Sequence, residues 1–114
     1  MQSQSSTPND LNLKIGSLGF WVREDQLDWS DNKPTVLINI IKNDGSLFIV
    51  KDDDNKLKCF HVILGKGRTD VEIDVSALFK DKAHMIVVAW DTEKSKKLSL
   101  FIDGKEEKFT HIAY

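Results

Sequence analysis

The chain has 114 residues, 40% hydrophobic and 30% charged, with a net charge of −2 and a pI near 5.9. That is one globular domain, large enough for a core of its own, and its charge balance supplies no basic field for nucleic acid or an anionic membrane. No apolar run approaches the roughly 20 residues that span a bilayer, so no membrane-inserted helix is expected.

Residues 1–10 are polar and lack the charged start and apolar middle of a secretory signal. They read as a flexible lead-in to a single domain over 11–114. From there the apolar period is close to two, which is the strand signal. Leu11, Leu13 and Ile15 alternate with polar residues, and Leu18, Phe20 and Val22 follow. Thr35 to Ile41 and Ser46 to Lys51 are β-rich runs joined by Asn43-Asp44-Gly45, a hairpin signal through its tolerance of positive φ. Asp52 to Asn55 is a turn by composition, Leu57 to Leu64 a strand, Gly65-Lys66-Gly67 a break, and Val71 to Val75 a further strand. Only Ser76 to Asp81 suggests helix, a single turn with Ser76 as its cap. His84 to Asp91 and Leu98 to Asp103 are strands, with Glu106 to Ile112 a weaker candidate. Short strands at spacings of about ten residues predict an all-β antiparallel sandwich or jelly roll. Ile86 to Ala89 is apolar on both faces, as in a central strand or one covered on its second face.

Three segments carry a family resemblance. Gly16-Ser17-Leu18-Gly19-Phe20-Trp21-Val22, then His84 with Trp90-Asp91, then Phe101-Ile102-Asp103-Gly104 resemble the laminin G-like branch of the concanavalin A-like jelly rolls. The match runs from about residue 16 to 105, with Ala83 and Met85 where that family has Trp and a second His. The resemblance implies a sandwich used mostly to bind sugars or proteins, calcium at its rim in many members, and a cell-surface or secreted setting. The residues themselves name no compartment. Only 10 residues follow Gly104, so an incomplete sheet is expected to expose an unpaired edge that self-associates or is completed by another chain.

The candidate chemistry is thin. Trp29, in the polar stretch Gln26 to Asn32, is the binding candidate if its ring is exposed, with Asp28, Asp31 and Asn32 as partners for sugar hydroxyls; the competing reading folds it back as a cap on the sandwich. Asp52, Asp53, Asp54 and Asn55 offer the hard oxygen atoms that calcium prefers, without the spacing of a calcium loop. Glu72 and Asp74 share a strand face, roughly 7 Å apart, and resemble part of the catalytic strand of sandwich-fold glycosidases. The third carboxylate is missing, and a retaining pair stands about 5 to 5.5 Å apart across the bond. Cys59 is alone and reads as a small core residue. His61, His84 and His111 have no metal-ligand spacing. The expectation is a non-catalytic module that binds a glycan, with a protein-interaction module that forms homo-oligomers as the alternative and a glycoside hydrolase as a remote third.

Overall fold

The computed structural model describes residues 11–23, 25, 27–78 and 82–114. Its strands are β1 (Ile15–Val22), β2 (Thr35–Lys42), β3 (Gly45–Lys51), β4 (Lys56–Ile63), β5 (Gly67–Asp74), β6 (His84–Asp91), β7 (Lys97–Ile102) and β8 (Lys105–His111). They form two four-stranded antiparallel sheets, ordered β1-β6-β7-β8 and β2-β3-β4-β5. The expected all-β sandwich is the observed one. Among the described residues no helix is long and apolar enough to cross a membrane, a statement about helices alone.

The period-two pattern becomes a core because alternate side chains point to opposite faces of a strand. Leu47 and Ile49 of β3, Leu57 and Cys59 of β4, Ile86, Val88 and Trp90 of β6, and Leu98 and Leu100 of β7 all point between the sheets and are buried. The second apolar face of β6 is explained by its place. β6 is central in its sheet, and Val87 lies between Gly19 of β1 and Phe101 of β7. Leu11 to Lys14 is not strand, although Leu13 is in the core.

The chain changes sheet twice, between Val22 and Thr35 and between Asp74 and His84, and these four strand ends lie at one end of the sandwich. Val22 pairs with His84 there, and Thr35 pairs with Lys51. Ser76 caps no helix in the described part of the second crossover. Its N–H and hydroxyl both donate back to the Asp74 carboxylate at 2.9 and 2.7 Å, and Leu78 N–H closes a turn on Val75 C=O at 3.0 Å. Residues 79–81 of that expectation lie outside the described residues.

Two hairpins show how differently glycine is used. Asp103 and Gly104 both have positive φ, 53° and 87°, the two-residue turn that follows the natural twist of paired strands. The Asp103 carboxylate then accepts from Met85 N–H at 2.9 Å and lies 2.7 Å from His84 Nδ1. Those bonds, Met85 N–H first and His84 next, hold Asp103 below the usual carboxylate range. The Asn43-Asp44 turn differs from expectation, since neither those residues nor Gly45 has positive φ. Gly45 is needed for proximity: a Cβ there would sit 2.0 Å from the Val62 carbonyl oxygen and 3.0 Å from Leu13 Cδ1.

The opposite end is closed by Asn12, Leu13 and Tyr114. His61 is fully buried, with Nε2 2.7 Å from Leu13 C=O and Nδ1 3.0 Å from the Tyr114 hydroxyl. That hydroxyl donates to His61 C=O at 2.7 Å, and the two rings stack at 5.8 Å. Trp90 Nε1–H donates to Asn12 C=O at 2.7 Å. Burial pushes the His61 imidazole below its ordinary pKa, with the Leu13 carbonyl opposing.

Gly45→Ala is expected to cost about 3 kcal/mol, a fall in Tm of roughly 12 °C, because backbone must move. Gly65→Ala, at φ +80° with open space around it, should cost about 1 kcal/mol. Calorimetry on the two variants checks the ranking. For His61 the unfolded chain gains a proton near pH 6.5 that the folded chain refuses until lower pH, so stability falls as pH drops below about 6.5. The urea midpoint should therefore fall between about pH 7.5 and about pH 5.5, and fall less in His61→Gln.

Candidate functional site

The 27–33 loop does not present its tryptophan. Trp29 is 1% exposed and meets the His84 ring edge-on at 5.7 Å. Burying an indole of about 200 Å² contributes roughly 5 kcal/mol gross at about 25 cal/mol per Å², comparable to the whole stability of a small domain. The ring is therefore a cap on the sandwich, the second of the two readings open for Trp29, and it offers no exposed face for stacking.

Its polar neighbours are committed to structure as well. Asp28 accepts from Ser30 N–H and Oγ at 3.0 and 3.1 Å. Asp31 accepts from Lys51 Nζ at 2.7 Å and from Lys33 N–H at 2.9 Å. Those two bonds, Lys51 first, hold its carboxyl below the usual range. Asn32, at φ 60°, and Asn55, at φ 63°, exchange bonds: Asn32 N–H to Asn55 Oδ1 at 2.9 Å, and Asn55 Nδ2 to Asn32 Oδ1 at 2.5 Å. Lys51 is the residue that sequence reasoning missed. It has no solvent exposure, and its ammonium also donates to Lys33 C=O at 2.6 Å. Alternation with Leu47 and Ile49 was the available signal, because a lysine at an inward position requires a carboxylate.

The acidic turn is likewise occupied by the protein itself. Carboxylate oxygens of Asp52, Asp53 and Asp54 lie within 4.8 Å of one another. Asp52 is 2.6 Å from Lys58 Nζ and accepts from Lys56 N–H at 3.1 Å and Asp54 N–H at 3.2 Å. Burial is the largest single influence on Asp52 and raises its pKa, but Lys58 and the Lys56 N–H together hold it low. Asn55, the expected fourth ligand, is turned inward to Asn32. Calcium requires six to eight oxygens, and this turn does not fit it.

Glu72 and Asp74 do share the outward face of β5. Glu72 lies 3.4 Å from Lys56 Nζ and 3.9 Å from Lys58 Nζ. The Ser76 N–H, and then its hydroxyl, lower Asp74, whereas a general acid needs a raised pKa. Cys59 is fully buried, and desolvation pushes its thiol up to about 12, which makes it an inert core residue.

What the surface does offer is an asymmetry between its two sides. On one side lie edge strands β5 and β8, rich in charge: Arg68, Asp70, Glu72 and Asp74 on β5, and Lys105, Glu106, Glu107 and Lys108 on β8, where Phe109 is the one large exposed hydrophobic, at 44%. On the other lie β1 and β2, carrying Ile15, Trp21, Val36 and Ile41 at 46%, 62%, 64% and 73% exposure. Between β1 and β2 runs a groove of about 320 Å³ lined by Phe20, Trp21, Val22, Leu27 and residues 35–38.

Natural sheets guard their edges with charge, proline or bulges. β2 has a bulge between Val36 and Ile38 and Pro34 just before it, and β8 faces a register shift at Leu100/Phe101. β1 has none of these. Its eight residues are uncharged and pair with β6 in unbroken register. Thr92 N–H donates to Lys14 C=O at 2.8 Å, and Asp103 N–H donates to Met85 C=O at 2.9 Å. By antiparallel alternation, Gly16, Leu18, Phe20 and Val22 bond to β6, while Ile15, Ser17, Gly19 and Trp21 turn their N–H and C=O groups to the open edge.

No family model matches the chain, and no curated protein matches it by sequence. Among solved structures it is similar to "Crystal structure of HCR/D W1238A mutant", at 14% identity and TM-score 0.66, covering 90% of this chain and 26% of that one. It is also similar to mouse laminin α1 chain domains LG4-5, at 16% identity and TM-score 0.46, covering 89% of this chain and 21% of that one. The chain thus spans about a quarter of the first and a fifth of the second. What the first likeness shows is the fold, an antiparallel jelly-roll sandwich of two four-stranded sheets.

Lys51→Ala is expected to cost about 3 kcal/mol, through lost stem packing and release of the 28–33 loop. Acrylamide quenching of tryptophan emission should rise in that variant as Trp29 loosens. Asp53→Ala, on the exposed turn, should leave both readouts unchanged.

Proposed function

We propose that this chain is a non-catalytic binding module that takes an extended polypeptide strand on the open edge of β1. The observation that carries the reading is the unguarded edge: eight uncharged residues in regular register, without proline or bulge, beside an apolar groove. Strand addition gives affinity through main-chain hydrogen bonds and specificity through pockets for alternate side chains. The groove beside Phe20, Trp21 and Leu27 supplies such a pocket. Its apolar lining suits a hydrophobic side chain better than a sugar, whose hydroxyls need several polar partners. The lysine pairing of Glu72 and the low pKa of Asp74 support the non-catalytic half of the reading.

Glycan recognition is the second reading, and one observation favours it. Trp21 is 62% exposed, so it offers the ring face that Trp29 does not. Arg23 and Asp25 follow it in sequence, 3.9 Å apart at the surface.

Peptides selected from a displayed library of extended sequences should bind the wild-type chain, and Trp21→Ala should weaken that binding by about 2 kcal/mol, a factor of about 30. A glycan array, run in calcium and again in chelator, should be blank under both conditions. A selective sugar hit lost in Trp21→Ala, with no peptide selected, would replace the first reading with the second.

A further inference from the structure

We infer that the strand taken up by β1 is β1 of a second copy of this chain, paired antiparallel about a two-fold axis at Leu18. The inference deepens the strand-addition reading above and rests on it. Self-complementarity of the edge is what points to a second copy. A two-fold interface must match one patch to itself, and only one register pairs all four outward-turned residues. In it Ile15 lies opposite Trp21 of the second copy, Ser17 opposite Gly19, and the reverse, so every free N–H and C=O of those residues is bonded.

The side chains agree with that register on both faces. On the outer face the two exposed large hydrophobic side chains of β1, Trp21 and Ile15, meet each other across the axis. The small residues Ser17 and Gly19 meet at the middle, where nothing obstructs close approach. On the inner face Gly16 lies opposite Phe20 of the second copy, so the large ring faces an open position. Leu18 meets Leu18 on the axis itself. No charge lies within Ile15–Val22, so no like charges meet inside the paired span, and the cations Lys14 and Arg23 lie just beyond its two ends. The other three edges are less suited: β5 and β8 would bring several charged residues into the pairing, and β2 is bulged. The product is one continuous eight-stranded sheet, β8-β7-β6-β1 joined to its symmetry mate, that covers Ile15 and Trp21.

The test is sedimentation of the whole chain with two kinds of variant. The wild type should form a 26 kDa dimer, twice the 13.0 kDa protomer, at micromolar concentration. Ser17→Lys places an exposed ammonium at the centre of the pairing and should raise the dimer dissociation constant at least about tenfold. Leu18→Cys should cross-link to itself under mild oxidation, because non-hydrogen-bonded partners have Cα atoms about 4.5 Å apart. Ile15→Cys should not, since its symmetry mate is about 20 Å away, and buried Cys59 leaves the background silent. A wild type that stays monomeric at high micromolar concentration overturns the inference, as does a dimer indifferent to Ser17→Lys that cross-links equally at both cysteine positions. If the chain is monomeric yet selected peptides bind it and are lost in Ser17→Lys, the second copy is the wrong occupant and the strand-addition reading stands. If neither a dimer nor a peptide is found, both fall.

Discussion

An ammonium group with no access to water sits where both crossovers leave and re-enter the sheets. Lys51 reaches that position because it continues the inward alternation of Leu47 and Ile49, and a charge so placed must be neutralised nearby. Asp31 supplies the charge and the Lys33 carbonyl a second acceptor, so the first crossover is tied to the end of β3. The Asn32–Asn55 exchange repeats the link one layer out, and Val75 N–H bonds Asn55 C=O at 2.9 Å, which brings in the second crossover. Trp29 is then held over the end of the core in an edge-on contact with His84, and His84 in turn is fixed by Asp103. One buried charge thus organises the loops that join the sheets. The same arrangement engages Asp31, Asn32 and Asn55, three of the polar groups that looked available for a ligand.

Edge chemistry separates the two sides of the molecule. A strand edge is a row of unpaired donors and acceptors, attractive to any extended backbone unless charge or irregular geometry turns it away. β5 is protected by charges at alternate positions, β8 by the charged run Lys105 to Lys108 and β2 by its bulge. β1, in contrast, contains the only glycine-rich uncharged stretch among the four edges, and it carries an exposed tryptophan. The segment that most resembles the laminin G-like pattern is therefore also the most exposed to partnership. Trp90, Asp91 and Asp103, the other residues of that pattern, are structural: Trp90 fills the core and bonds Asn12, Asp91 accepts from the N–H groups of Glu93 and Lys94, and Asp103 holds His84.

Much of the fold was legible because it depends on neighbours in sequence. Alternation located β3 through β7 to within a few residues, and Asp103-Gly104 marked its turn because few other pairs adopt positive φ twice. Leu11 to Lys14 alternates like a strand and is not one, since Leu13 enters the core from a bent segment. The site was far less legible. Trp29, Asp28, Asp31 and Asn32 form a group whose composition suits a sugar, and whether an indole faces water or core depends on which sheet end it lies against. Asp52 to Asn55 reads as a cation turn until Lys58 and Asn32 are seen to occupy its oxygens.

The sequence by itself determined the strands, their inward faces and the all-β class, because period-two burial and turn chemistry are local properties of the chain. It also determined that β1 lacks charge and proline. The tertiary structure alone decided that β1 is an edge, that Trp21 is open while Trp29 is closed, and that Lys51 meets Asp31 across 20 positions of chain. Those outcomes are set by sheet order and by the end at which each crossover lands, and such long-range pairings leave no period in the sequence.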